Sequence, residues 1–366
     1  MAGICLSDLR RTGFQAEIRS RRIAQPGSLR EDTNDDFPPG SAIARKFIPS
    51  LFLHNILLSH TRMTAPIAWM NGELMPYAQA AVPVWDLGVV AGASVSEMAR
   101  TYAHKPFRLP QHLDRLLNAI HQMGFPEAYG RQQLLEAIHG VLAHNLSLIA
   151  GERDLGIVIF STAGPNATYL GSELARRTPA TTAVHTFELP FETWLPQLRN
   201  GVHLRTPHTR QIPRDCFDVS LKVRNRLHWW LADREATQLE LGSKALLVDS
   251  AGGITETSTS AVHLICHGRI VTPDSSVLHS LSSQLVEEIA KTRGIPFERR
   301  PIPLAEFRDA SEAFLSSSAA TLLPVSHVNG EPIGKEIPGP LFKQMAASWS
   351  QLVGMDIVQQ VLGAHT

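Results

Sequence analysis

Asp218-Val-Ser-Leu-Lys222-Val-Arg-Asn-Arg-Leu227 leads into a helical pattern over Arg224 to Leu241. After it come the apolar Leu246-Leu-Val-Asp249, the turn Ala251-Gly252-Gly253 and the segment Ile254-Thr-Glu256-Thr-Ser258. The lysine is the informative residue, because the chain holds only seven lysines against 27 arginines. Of the two cations only lysine readily loses its proton and forms an imine. Leu221 and Val223 on either side of Lys222 are the neighbours that desolvate an amine and lower its pKa toward a Schiff-base role. The same neighbours also suit a surface lysine that lays its methylenes on apolar ground and keeps its charge in water.

Outward from that stretch the chain alternates strands, hairpins and helices. Upstream, Ile67-Ala-Trp-Met70, Asn71-Gly72 and Glu73-Leu-Met75 read as a hairpin, since both turn residues tolerate positive φ. The segment from Pro110 to Gly124 carries Leu113, Leu116, Leu117 and Ile120 at helical spacing, with Arg115 on the opposite side of the wheel and Gly124 as C-cap. A second helix is expected over Arg131–His144, and strands over Gly156–Ser161 and Thr181–Leu189. Pro190 to Pro213 suggests few regular elements, which places a domain boundary near 190. Downstream, the expected elements are a strand Ala245–Asp249, a hairpin across His267-Gly268 and a helix Ser282–Arg293. Strands Phe297–Ile302 and Ala313–Ser316, a hairpin across Asn329-Gly330 and a closing helix from Pro340 follow. Mixed hairpins and helices indicate an α+β architecture rather than a regular βαβ series.

Composition limits what the protein does. Of 366 residues 43% are hydrophobic and 19% charged, and the formal net charge is zero, so no overall field attracts nucleic acid or an anionic membrane. No apolar run reaches the roughly 20 residues of a membrane span. Cys5, Cys216 and Cys266 are too few and scattered for a disulfide framework or a cysteine-rich zinc site, which suits a reducing, cytoplasmic setting. The first 62 residues are Arg-rich, then acidic, then Pro38-Pro39-Gly40; the segment reads as a leader or disordered extension, with Met63 as the favoured start. Phosphate-binding, dinucleotide, serine-hydrolase and zinc-protease signatures are absent from the sequence. His263 and His267 straddle a hairpin without further ligands, so a structural role is expected and no metal.

Taken in order, the stretch from Lys222 to Ser258 resembles the class IV pyridoxal-phosphate aminotransferases, the fold-type IV enzymes. The 34-residue separation of Lys222 and Glu256 fits that family. So do Trp69-Met-Asn-Gly72, Gly92 to Arg100, His112-Leu-Asp-Arg115-Leu, Ser316-Ser-Ser-Ala-Ala, and Pro324-Val followed by Asn329-Gly330. The resemblance implies a two-domain α+β fold like that of D-amino-acid aminotransferases, with pyridoxal 5′-phosphate in the interdomain cleft. Expected units are the extension 1–63, a small domain 64–188 and a larger domain 189–366 that carries the lysine. By resemblance Lys222 holds the cofactor as an internal Schiff base and then shuttles a proton, and Glu256 pairs with the pyridine nitrogen. Arg115 looks like the phosphate-binding arginine. Leu281 and Ser282 at a helix start, and Ser317 and Ser318, resemble the rest of the phosphate cup.

Departures from the family pattern fall on the substrate side. In the loop expected over Gly92 to Arg100, Gly92-Ala93-Ser94 stands where Gly-Asp-Gly is common and Ser96 replaces an aromatic; further on, Ala261 replaces an asparagine and Leu227 the tyrosine of branched-chain enzymes. Ser96 and Arg100 are the candidate substrate-binding residues, with Arg100 as the docking point for a carboxylate. The implied reaction is ping-pong transamination between an amino acid and a 2-oxo acid by a homodimer. An aminodeoxychorismate-lyase-like elimination of pyruvate and a non-catalytic, cofactor-binding interaction module are the alternatives.

Overall fold

The computed structural model describes residues 64–151 and 153–363. The expected leader over 1–63 lies outside the described residues.

Two sheets organise the described chain. The first contains β1 (Ile67–Met70), β2 (Glu73–Pro76), β3 (Ser94–Tyr102), β4 (Lys105–Pro106), β5 (Leu155–Thr162) and β6 (Thr182–Glu188), in the order β2-β1-β6-β5-β3-β4. Every neighbouring pair is antiparallel. The β1–β2 hairpin turns at Asn71 and Gly72, with φ of 50° and 98°, as the Asn-Gly pair requires. Helices Leu109–Gln122 and Arg131–Asn145 cover one face. Leu113, Leu116 and Ile120 from the first and Leu134, Ile138 and Val141 from the second are buried against Val95, Ile157 and Ile159 of the sheet. Each such side chain contributes about 1.5–3 kcal/mol by leaving water.

The second sheet contains β7 (Val202–Arg205), β8 (Lys244–Val248), β9 (Ile254–Thr257), β10 (Ala261–Cys266), β11 (Arg269–Thr272), β12 (Phe297–Arg299), β13 (Glu312–Ser317), β14 (Thr321–Val328) and β15 (Glu331–Pro332). Its path runs β12-β11-β10-β13-β14-β7-β8-β9, with β15 on β14, and a β9–β10 pairing closes the strands from β10 to β9 into a ring. That closure pairs Ala261 with Glu256 and so fixes the glutamate at the rim of the ring. Helices Phe191–Asn200, Leu281–Thr292 and Pro340–Val353 contribute Trp194, Val286 and Trp349 to the core beneath it.

Three sequence expectations differ from the structure. The proline-bounded run holds a helix, Phe191–Asn200, followed by β7. Phe191, Trp194, Leu195 and Leu198 form a buried i, i+3, i+4, i+7 stripe, and its burial outweighs the cost of Pro196 inside the helix. The helix expected from Arg224 begins at Leu227, because Val223 bridges Val95 and the Arg224 amide donates to the Ser94 carbonyl at 2.9 Å, keeping that segment extended. Residues 94–100, expected as part of a loop, are strand β3. Among the described residues no helix is long and apolar enough to cross a membrane.

Candidate active site

A cavity of about 380 Å³ opens between the two sheets. Lys222 reaches it because of the short pairing just described. Ser96 donates its amide to the Lys222 carbonyl at 2.9 Å, so residues 221–224 lie along the β3 edge like a further strand. Leu221 and Val223 pack against the first-sheet core and, with Lys222 between them, also line the cavity. Enclosure lowers the lysine to about 8; Arg115 and Arg226 push the same way, while Glu97 and Glu256 oppose them. The amine is therefore partly neutral near neutral pH. Gly92, at φ +65°, brings the preceding loop against this segment, where an added Cβ would lie 3.3 Å from the Asn225 Cβ.

Glu256 enters the cavity from β9. Its Oε1 accepts the Leu278 amide at 3.0 Å and the Gln211 side-chain amide at 3.4 Å. Burial raises this carboxyl to about 7, against the smaller lowering influence of the Leu278 hydrogen bond and of Lys222, Arg226 and Arg115. Gln211 is held by a second bond to the Ser276 carbonyl at 3.0 Å.

Arg115 and a group of hydroxyls form another part of the wall. Arg115 does not lie on a solvated helix face: its Nε and Nη2 donate to the two oxygens of Glu97 at 2.7 and 2.8 Å, and Nη1 to the His279 carbonyl at 2.8 Å. His112 Nδ1, 2.7 Å from Glu97 Oε2, completes the clamp. Burial alone would raise Glu97, but the bonds from His112 and Arg115 and the Arg115 charge hold it at about 2. The chain from His279 carries Ser280, which caps the helix Leu281–Thr292 by accepting the Ser283 amide at 3.2 Å. Ser280, Ser282, Ser317 and Ser318 all line the cavity with Arg115.

The structure thus brings Lys222, Glu256, Arg115, Ser282, Ser317 and Ser318 to one cavity. It does not bring the remaining three candidates there. Leu281 is buried and lines a separate small cavity with Arg100 and Tyr102. Ser96 meets Lys222 only through the backbone and is not part of the cavity wall. The docking role expected for Arg100 is corrected, because its guanidinium is buried and fully engaged. It donates to the carbonyls of Thr101 and Ala319, each at 3.0 Å, to Thr321 Oγ1 at 3.3 Å and to Gln360 Oε1 at 2.7 Å, with Asp154 at 3.9 Å.

Sequence reasoning also missed contributors. Glu97 and His112 lie inside quoted motifs, but nothing local shows that a strand carboxylate and two helical side chains converge. Gln211 sits in the run read as irregular, with no signal of its own. Arg226 lines the cavity and donates to the Ser258 carbonyl, tying the lysine segment to the β9–β10 turn.

A family model described as amino-transferase class IV matches residues 94–328. Among curated proteins, the chain is 28% identical over 327 residues to branched-chain-amino-acid aminotransferase-like protein 1 of Arabidopsis thaliana, covering 83% of this chain and 57% of that one. It is 28% identical to the D-alanine aminotransferase of Bacillus licheniformis, covering 75% and 93%. The chain spans only about half the length of the two plant relatives, 57% and 50%. Among solved structures, a T.th. branched-chain amino acid aminotransferase with pyridoxamine 5′-phosphate superposes with a TM-score of 0.70 at 27% identity, covering 79% of this chain and 95% of that one. The match spans well over half of the chain and includes Arg115, Lys222, Glu256 and the serines of the cavity wall, and the chain belongs to the class IV amino-transferase family.

Proposed function

We propose that the protein is a pyridoxal-phosphate-dependent aminotransferase that moves an amino group between an amino acid and a 2-oxo acid. One observation carries this reading: a desolvated amine, an isolated carboxylate and a donor-rich wall line one cavity. That set matches the aldehyde, ring nitrogen and phosphate of pyridoxal phosphate, and 380 Å³ is adequate for a ligand of that size. Lys222 would hold the aldehyde carbon and Glu256 the ring nitrogen. Arg115, Ser282, Ser317 and Ser318 would hold the phosphate, together with the backbone at Leu281. When bound, the cofactor supplies an electron sink for the pair released on deprotonating the substrate Cα.

The chain's own residues do the rest. Lys222, lowered to about 8, takes the Cα proton as a neutral amine and returns it as an ammonium, and a pKa near the working pH suits both halves. Glu256 has few donors, so a cationic N–H placed against it stabilises the anion that burial disfavours. Glu97 and His112 hold Arg115 in a fixed pose, which reduces the ordering cost of binding an anion. The curated relatives carry aminotransferase names, which favours transamination over the lyase reaction. Those names divide between branched-chain and D-alanine donors, so the donor class is assigned by experiment. A homodimer, domains meeting near residue 189 and a cytoplasmic setting complete the proposal.

The test is the visible spectrum of the purified protein loaded with pyridoxal phosphate, titrated with L- and D-amino acids. Loss of the visible band of the loaded protein with some donors, and its return with a 2-oxo acid, is the expected result. A band that releases pyruvate and never converts to the amine form would identify the lyase, and no band in any preparation would overturn cofactor binding.

A further inference from the structure

His263 lies on β10, wholly buried, its ring stacked on Phe314 with centroids 4.9 Å apart and planes at 26°. Its Nε2 is 2.9 Å from Ser316 Oγ, Ser316 Oγ donates to Ser282 Oγ at 3.2 Å, and Ser282 Oγ is 2.6 Å from Ser280 Oγ. The chain of hydroxyls therefore runs from the core to the wall of the cavity, where Ser280 and Ser282 are exposed to it. At the other end His263 Nδ1 is buried and has no hydrogen-bond partner among the described residues.

That asymmetry fixes a direction. Burial pushes the imidazole down to about 3, so the ring is neutral and carries one hydrogen. On Nδ1 that hydrogen would be an orphaned buried donor, which is the more costly arrangement. On Nε2 it donates to Ser316, whose own hydrogen then points to Ser282. Ser280 and Ser282 share one bond, whichever donates, and one hydroxyl hydrogen is left for the cavity. The opposite tautomer reverses every step: Ser316 donates to the ring, Ser282 to Ser316 and Ser280 to Ser282, and only lone pairs face the cavity. A phosphate dianion is held by the first arrangement and repelled by the second.

We infer that His263 is a positioning residue for anion binding, its Nε2–H orienting the Ser316–Ser282–Ser280 chain so that its cavity end donates to the phosphate of the cofactor. The inference rests on the reading that this wall takes a phosphate monoester. It predicts that His263 affects recognition of the phosphate and nothing else about the ligand.

The experiment compares dissociation constants of pyridoxal phosphate and unphosphorylated pyridoxal for the full chain, for His263→Phe and for Ser316→Ala. The expected loss is about 3- to 10-fold for pyridoxal phosphate, as for one hydrogen bond, with pyridoxal unchanged. The ³¹P resonance of the bound phosphate should move in both variants, and ¹⁵N spectra of the unmodified chain should show the Nε2–H tautomer. Equal weakening of both ligands, weakening of neither, or an Nδ1–H tautomer would overturn the inference. If His263→Phe does not fold, the same ratio in Ser316→Ala decides. If the unmodified chain itself binds pyridoxal as tightly as pyridoxal phosphate, the phosphate wall fails first and takes the inference with it.

Discussion

Glu97 and Glu256 both lie close to Lys222, and burial raises both, yet one ends at about 2 and the other at about 7. The difference lies in their partners. Glu97 receives two guanidinium N–H groups and an imidazole, whereas Glu256 receives one backbone amide and a distant side-chain amide. Glu97 is buried off the cavity wall, and its bonds fix the pose of Arg115. A carboxylate as poorly paired as Glu256 is costly until something cationic completes it. The comparison separates a positioning anion from a binding anion without reference to any relative.

Breaking the paired side has the largest expected effect. Arg115→Met leaves Glu97 buried beside His112 alone and should cost roughly 3–5 kcal/mol in urea unfolding at neutral pH. The sign follows from a lowered folded pKa: the stabilisation is complete above the unfolded value near 4.5 and is lost as pH falls through about 2. The gap between variant and parent should therefore close over that acid range, and a pH-independent gap would show that Glu97 is not its source.

Arg100→Met comes next, at roughly 2–4 kcal/mol, because it takes the guanidinium donor from two buried carbonyls and from Gln360 Oε1. A rise in substrate KM with unchanged stability would instead restore Arg100 as a docking residue.

The unpaired side should respond in the opposite direction. Glu256→Gln removes a buried charge and should stabilise the cofactor-free protein at pH 8 by roughly 1–3 kcal/mol. A raised folded pKa makes its contribution favourable below about 4.5 and lost as pH rises through about 7, so the gain should vanish near pH 4. Destabilisation at pH 8 would mean that Glu256 is paired after all.

The smallest effect sharpens the contrast at Lys222 itself. Acylation of its amine, followed by mass spectrometry of the digest, should be half-maximal near pH 8 and shift lower in Glu256→Gln, which removes a negative neighbour. A midpoint above 10 would mean that the amine is solvated.

What the sequence discloses here is local, and what it conceals is convergent. The Asn71-Gly72 hairpin, the Leu113/Leu116/Ile120 stripe and the apolar flanks of Lys222 are each visible within a few residues, because turn geometry and periodicity act at that range. The helix at 191–200 is equally periodic, but its prolines obscure the stripe. Arg100 and Arg115 show the limit. Both are arginines beside apolar residues, and only partners distant in sequence, Ala319 and Gln360 for one, Glu97 and His279 for the other, decide which is structural and which faces the cavity. His263 reads as structural from its neighbours in sequence, and its link to Ser316 depends on strand register that no local pattern reports.

In the proposed reaction Lys222 is the amine that holds the cofactor. Loading the full chain with pyridoxal phosphate, reducing with borohydride and mapping the phosphopyridoxyl group by mass spectrometry tests it most directly. The group should be found on Lys222 and be absent from Lys222→Ala; modification of another lysine with Lys222 untouched would contradict the account.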